Sequence, residues 1–397
     1  MQPSNTLPVL MGQTAENSLM MSVQNPQVKI RVCFVFDYWQ VRAGAELQLS
    51  MLLRHIDRKR IEPFVLLVYG DTQSIPDPPD CPMYCLKLKR LRSFSSFNKA
   101  RELRQFFKRN NIDVIQAVIV NNPVLAFVGG VGKMSGVKKV FGFRVDIGFW
   151  MTPWQTRTGK FAHRFIIDKV IANAEACKQS IIDKENARPE NIFVIPNLIE
   201  TERFADIPTW TAAKAHSPRR IGIVGNLMPV KGTDVFIDAA KIVLEKHPDV
   251  QFELAGARSN KQYRSQIEQL GITSNVRLLG SLSDIPAFLS TLDIAALASR
   301  SEGLPNAIME YMAAGRPCVV TNVGGCGELI RHEQNGLLVP PENPSALAEG
   351  FIDLLDHPDR AEQFAMAARK DISEKYEASV LANRWRELYE AVLAPPD

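Results

Sequence analysis

The sequence predicts two doubly wound α/β units, each a Rossmann-like parallel sheet flanked by helices, facing each other across a central cleft. Three observations predict this. The chain has 397 residues, whereas single hydrophobic cores stop growing at about 250–300. Short apolar runs of strand length alternate with helix-period stretches along most of it. The alternation breaks once, in the polar, proline-bearing segment 205–218, and then resumes.

Residues 1–27 carry one charged side chain, Glu16, with neither a basic start nor a compact apolar stretch. They read as a disordered lead-in, not a secretion signal. The first unit, 28–207, opens with the strand-like run Lys29–Phe36. A helix over Arg42–Ile56 follows, its Leu49, Leu52, Leu53 and Ile56 in helical register. Further strands are expected at Phe64–Val68, Val114–Val120, Lys139–Phe143, Val170–Ala174 and Ile192–Pro196. The second unit, 208–377, has expected strands at Ile221–Val224, Gln251–Ala255, Val276–Leu279, Ile294–Leu297, Pro317–Thr321 and Gly336–Val339. Its helices are expected at Lys231–Lys246, Lys261–Leu270, Ile285–Leu292 and Leu304–Ala314. In the tail, 378–397, a helix over Ala378–Leu393 can reach back to the first unit. Open parallel sheets bind ligands at the carboxyl ends of their strands, which places the expected site in the cleft.

Composition narrows the function classes. The chain is 46% hydrophobic and 23% charged, as in ordinary globular proteins, and no apolar run approaches the roughly 18 residues of a membrane span. Of six cysteines only Cys81 and Cys85 are closely spaced, and the six histidines are scattered. That pattern predicts neither a disulfide framework nor a metal site, and it suits the reducing cytoplasm. The net charge of +4 hides an asymmetry: residues 28–207 hold 28 Lys/Arg against 18 Asp/Glu, whereas 208–397 hold 19 against 24. Between Lys87 and Arg109 nine basic residues and one acid, Glu102, interleave with Phe94, Phe97, Phe106 and Phe107. Such a segment suits an anionic membrane surface, with a solvated helix face as the alternative. Nucleic acid is not an expected partner, because the second half is acidic and no reading motif accompanies the patch.

The densest chemical signal is Ser299–Val320, where a strand ends in a polar loop, Glu302 precedes a helix and Glu310 follows eight positions later. Helix-end amides attract phosphates, and a carboxylate on the first turns can accept both ribose hydroxyls. At Gly225–Gly232, GNLMPVKG follows a strand and starts a helix, placing Lys231 in a first turn. A cation there opposes the helix dipole, but it can stabilise a departing diphosphate without a divalent metal. In TNVGGCGEL, Gly324, Gly325 and Gly327 join a strand to a helix and leave Glu328 at its start, so backbone can approach a ligand closely. Gly44 lies between the first strand and first helix, placed to cover phosphates from across the cleft. The run Gly129–Lys133 is not a phosphate loop, because Met134 stands where a Ser or Thr must hold magnesium.

With Pro196-Asn197, Phe204, Gly315-Arg316-Pro317 and the run Asn335–Pro340, these motifs form an ordered set. In them the sequence resembles the retaining nucleotide-sugar glycosyltransferases of family four, which have the two-domain GT-B architecture. The resemblance covers most of 29–390 and implies metal-independent, retaining transfer of a sugar from a nucleotide diphosphate to a glycan or lipid-linked acceptor. It implies no cofactor beyond the nucleotide-sugar co-substrate. The expected place is the cytoplasm, with peripheral contact at the inner membrane face through Lys87–Arg109, and the expected process is polysaccharide or glycolipid biosynthesis. By the same resemblance Glu310 holds the ribose, Lys231 the diphosphate, and Glu302 with the backbone of Gly303, Leu304 and Asn306 the transferred sugar. Gly44, Gly225, Asn226, Gly324, Gly325 and Glu328 complete the binding set. Asn226 departs from the arginine of many relatives, Ala43-Gly44 from a pair of glycines, and Arg144 stands where many members have an active-site histidine. Phe149, Trp150 and Trp154 read first as buried packing and second as an acceptor platform. The rival readings are an epimerase or hydrolase of the same shape and a non-catalytic binding protein; intact Lys231, Glu302 and Glu310 weigh against the latter.

Overall fold

The computed structural model describes residues 29–39, 44–70, 78–91, 95–119, 122–148, 151–257 and 261–395. The lead-in 1–27 and Ala43, Phe94, Phe149 and Trp150 lie outside the described residues. The first half runs β1 (Ile30–Phe36), α1 (Gly44–His55), β2 (Ile61–Leu67), β3 (Met83–Cys85), α2 (Ser95–Arg109), β4 (Val114–Ile119), α3 (Asn122–Ser135), β5 (Lys139–Arg144), α4 (Pro153–Phe165), β6 (Lys169–Ala172), α5 (Glu175–Glu185) and β7 (Ile192–Val194). Its strands form a parallel sheet in the order β3-β2-β1-β4-β5-β6-β7. Val32 to Phe36 of β1 are fully buried, as a central strand covered on both faces requires.

The second half runs β8 (Arg220–Val224), α6 (Thr233–Lys246), β9 (Gln251–Ala255), α7 (Lys261–Gln269), β10 (Val276–Gly280), α8 (Ile285–Ser290), β11 (Ile294–Leu297), α9 (Asn306–Ala313), β12 (Cys318–Thr321), α10 (Cys326–Leu329) and β13 (Leu337–Val339). Helices α11 (Pro344–Asp356), α12 (Pro358–Lys375) and α13 (Ala378–Leu393) follow. The sheet is again parallel, ordered β10-β9-β8-β11-β12-β13. Both orders reverse once, at β1/β4 and at β8/β11, and in such sheets the crevice beyond that reversal binds ligands.

Helix α13 lies on the first half. Leu381, Trp385, Leu388 and Tyr389 share a core with Phe34, Leu49 and Phe141, and the Tyr389 hydroxyl donates to Gln116 Oε1 at 3.1 Å. The connecting segment is fastened to the second half. Arg369 donates to the carbonyls of Phe204 and Ile207 at 3.0 and 2.6 Å, and buried Arg316 donates to that of Pro208. Burial holds the Arg316 guanidinium down to about 10, so the Arg of the Gly-Arg-Pro motif has a structural task here.

Several expectations are corrected. Lys231 does not sit in the first turn of α6: it ends a 3-10 turn, Pro229–Lys231, and left-handed Gly232 separates it from the helix. Helix α9 starts at Asn306, not Leu304, because Pro305 keeps the residue before it out of helical geometry. Strand β3, only three residues long at the sheet edge, carries too short a pattern to be read from sequence. Of the three described phenylalanines in the Lys87–Arg109 segment two turn inward: Phe107 is buried, Phe106 stacks on Tyr84 at 4.7 Å, and Phe97 is exposed. Trp154, expected in buried packing, is 51% exposed. Among the described residues no helix is long and apolar enough to cross a membrane.

Candidate active site in the cleft

Strands β8 and β11 are parallel neighbours, so the loops leaving their carboxyl ends emerge side by side. The first, Gly225–Gly232, carries Lys231; the second, Ala298–Pro305, carries Glu302. The Arg300 N–H donates to the Val230 carbonyl at 2.8 Å, and the Arg300 guanidinium grips Asp234 at 2.9 and 2.7 Å, which holds the two loops in register. Lys231 Nζ then donates to Glu302 Oε1 at 2.6 Å, and Ser299 Oγ donates to the same oxygen at 2.6 Å. Ser299 is fixed in turn by Thr321 Oγ1, which donates to its carbonyl at 2.7 Å. Glu302 is 9% exposed; Lys231 keeps about a third of its side chain open to the cleft.

Helix α9 supplies the next layer. Ile308, Met309, Tyr311 and Met312 face the core, leaving Asn306 and Glu310, one turn apart, on one outward stripe. The Val224 N–H donates to the Tyr311 hydroxyl at 2.9 Å, pinning α9 to the end of β8. Half-buried Glu310 makes no hydrogen bond through its carboxyl to a described side chain. Burial pushes that carboxyl up to about 7 against the pull of Arg203.

The first half closes on these loops. Asn306 Oδ1 accepts from Asn197 Nδ2 at 2.7 Å and from Gln48 Nε2 at 3.2 Å, and Asn197 Nδ2 also donates to the Leu304 carbonyl at 2.9 Å. Gly44, at the start of α1, abuts the Asn306 amide. A Cβ at Gly303 would overlap the Val145 carbonyl, and one at Gly324, whose φ is +51°, would overlap the Glu302 carbonyl. The Gly325 N–H donates to the Gly303 carbonyl at 2.7 Å. Glu328 accepts from the N–H groups of Glu175 and Ala176 at 3.1 and 3.2 Å, so its carboxylate caps α5, which has no side-chain cap of its own.

The candidate residues therefore divide. Lys231 and Glu302 touch, and Gly303, Gly324 and Gly325 wall the same loops. Gly225 and exposed Asn226 lead into the Lys231 turn. Asn306, Leu304 and Glu328 spend their polar groups on contacts between the halves, because in this closed arrangement first-half partners lie directly opposite. Arg144 belongs to a different group. It is ion-paired to buried Glu185, which also accepts from Asn122 at 3.0 Å and faces His163 at 3.4 Å. Burial alone would raise the Glu185 carboxyl, yet His163 and Arg144 hold it below its ordinary range. This network borders a cavity of about 430 Å³ with Asp37, Asp146, Met151 and Gln155. Sequence reasoning missed Gln48, Ser299 and Glu185. A glutamine or glutamate on a helix reads as solvated, and only Ser299, at a strand end three residues before an acid, left a signal.

Two family models match the chain, "Glycosyltransferase Family 4" over residues 42–203 and "Glycosyl transferases group 1" over residues 209–371. An uncharacterised glycosyltransferase of Methanocaldococcus jannaschii is 30% identical over 237 residues, which are 57% of this chain and 60% of that protein. The UDP-Gal:alpha-D-GlcNAc-diphosphoundecaprenol alpha-1,3-galactosyltransferase of Escherichia coli is 23% identical over 346 residues, 79% of this chain and 87% of that one. Among solved structures, Anabaena HepE in complex with UDP superimposes with a TM-score of 0.79 at 21% identity, covering 91% of this chain and 100% of that one. The two facing parallel sheets are thus those of a GT-B glycosyltransferase. With one family model on each half, the chain belongs to the family 4, group 1 glycosyltransferases.

Proposed function

We propose that the chain is a metal-independent, retaining glycosyltransferase that moves a sugar from a nucleotide diphosphate to a glycan or lipid-linked acceptor in polysaccharide or glycolipid synthesis. The carrying observation is the 2.6 Å contact of Lys231 Nζ with Glu302 at the β8/β11 reversal. A cation fixed there meets the diphosphate, and its effect grows as the sugar bond breaks and charge collects on the leaving group. Glu310, on the outward stripe of α9, accepts from the ribose hydroxyls. Glu302 and the Gly303–Asn306 backbone hold the sugar, and Gly324, Gly325 and Gly225 bring backbone amides to the phosphates. Closure of the halves, with Glu328 on α5 and Asn306 on Gln48, excludes water so that transfer outruns hydrolysis. Retention follows from attack on the face that the diphosphate leaves, the phosphate oxygen taking the acceptor proton.

Arg144 lines the first-half cavity, which takes the acceptor, and the basic first half sits against the inner membrane face, where Lys87–Arg109 is the expected contact. The E. coli relative is named for a UDP-Gal donor and a diphosphoundecaprenol-linked acceptor, and HepE binds UDP; the first supports a membrane-borne acceptor, and both make uridine diphosphate the first probe. The test is a thermal-shift panel of nucleotide sugars in a chelator, followed by NMR of the product's anomeric centre. A ligand-induced shift without metal and a retained configuration are expected. Activity only with a divalent ion, or an inverted product, overturns the reading.

A further inference from the structure

Among the described residues nine large hydrophobic side chains are exposed, and five of them, Phe97, Met134, Trp154, Phe161 and Phe165, lie on α2, α3 and α4. Helix α3 packs against both α2 and α4, so the three form one outer layer. Their sequences hold nine Lys and Arg residues against one acid, Glu102. That acid is occupied by Lys99 at 2.7 Å and by the Tyr84 hydroxyl.

The apolar part of this surface concentrates on α4. At about 100° per residue, Trp154, Phe161 and Phe165 fall within roughly 40° of one another on the helix wheel. They are 51%, 53% and 58% exposed. Arg157, Lys160 and Arg164 run alongside them, all exposed, and the helix carries no acid. The opposite side is clamped to the body: Gly159 and Ala162 are buried, and Asn122 Nδ2 donates to the Gln155 carbonyl at 2.9 Å. A capping box between Thr152 and Gln155, with Pro153 in the first turn, fixes where the helix begins. The stripe is therefore held rigidly outward, with a band of cations beside it. Phe161 packs on Phe165 at 5.1 Å and Arg164 lies over the Phe165 ring, so exposed rings and cations share one face; a bilayer interface takes up such rings while anionic headgroups bind the flanking cations.

We infer that α4 is the element that docks this chain on an anionic lipid bilayer, with Trp154, Phe161 and Phe165 in the interfacial layer and Arg157, Lys160 and Arg164 on the headgroups. Helix α2 adds long-range attraction through its charge, but with Phe106 and Phe107 turned inward it offers one exposed ring, Phe97, among its described side chains instead of a stripe. The inner side of α4 supplies Gln155 and His163 to the 430 Å³ cavity beside Arg144. Docking through α4 thus brings the headgroup zone next to the cavity proposed for the acceptor. The link to the acceptor rests on the glycosyltransferase reading; the docking itself does not.

The experiment is co-sedimentation of the full chain with vesicles of phosphatidylcholine and with vesicles of phosphatidylcholine mixed with phosphatidylglycerol. Binding only to the mixed vesicles is expected. The triple variant Trp154→Ala, Phe161→Ala, Phe165→Ala should weaken it roughly tenfold or more, since each ring removed gives up apolar burial, while its thermal unfolding stays that of the parent because the side chains are exposed. Lipids brominated along the acyl chain should quench tryptophan emission in the parent and do so less in Trp154→Phe, which keeps an aromatic ring. Unaltered vesicle binding by the triple variant overturns the inference, as does binding lost only through Arg101→Glu with Arg104→Glu on α2. A stable dimer without lipid that Phe161→Glu dissociates assigns the stripe to a second copy and also overturns it. Nucleotide affinity measured in the same variants reports separately on the glycosyltransferase reading.

Discussion

An ammonium 2.6 Å from a carboxylate is largely neutralised until a competing anion arrives. Lys231 is therefore held in place by Glu302; in the proposed mechanism it transfers part of its field to a diphosphate, which puts its contribution mainly in the transition state. Lys231→Ala should lower turnover by a factor on the order of 100, the scale of losing one charge-stabilising donor, in a steady-state assay with saturating donor. Glu310 offers a pH signature. Its carboxyl is held up at about 7 by burial, whereas an unfolded chain releases that proton near 4.3. Between those values the folded state keeps a proton that the unfolded one has lost, so this group's contribution to stability is present at low pH and falls as pH rises. Under the proposed ribose assignment the hydroxyls donate to the ionised form, so nucleotide affinity should strengthen as pH rises toward 7 and level off above it. Glu310→Gln should flatten both profiles, measured by thermal unfolding and by calorimetry across pH 5–8. The two carboxylates and the lysine were legible as residue types at strand-to-helix junctions. Their partners were not: that Ser299 donates to Glu302, or that Arg144 is tied to Glu185 41 residues away, depends on tertiary approach that leaves no local pattern.

Among elements, the alternation of strand and helix was legible wherever a strand is buried on both faces, because Val32–Phe36 of β1 and Ile294–Leu297 of β11 are continuous apolar runs. The short edge strand β3 was not, and the boundaries at Pro229–Thr233 and Leu304–Asn306 moved by two residues because proline and left-handed glycine delay helix entry. Those delays shape the site, since they leave Lys231 and the Gly303–Pro305 backbone outside regular helix. The loop after β11 meets the first half at Gly303. Gly303→Ala would overlap the Val145 carbonyl, so the halves must part to accommodate the methyl. A larger radius of gyration by small-angle scattering is expected, with thermal unfolding of each half little changed. Glu328→Ala removes the cap on α5, a loss of about 1 kcal/mol, or roughly a fivefold shift away from the closed arrangement. Scattering with and without a nucleoside diphosphate checks it: the variant should need more ligand to close.

At the scale of the molecule, the chain's last helix returns to its first sheet, so the two halves are joined both by the connecting segment and by α13. Trp385 is 4% exposed among Phe143 and Tyr389, and its removal opens a cavity that aromatic-to-alanine changes put at about 3–5 kcal/mol. Trp385→Ala should lower the thermal midpoint of the first half and leave nucleotide affinity of the second intact until that half is released. The measurement that bears most directly on the site is calorimetric titration of nucleoside diphosphates, in a chelator, into the parent chain, Lys231→Ala and Glu310→Ala. Binding to the parent without metal, weakened roughly tenfold or more in each variant, is the predicted result. Equal affinity in all three proteins contradicts the assignment of the β8/β11 crevice as the donor site.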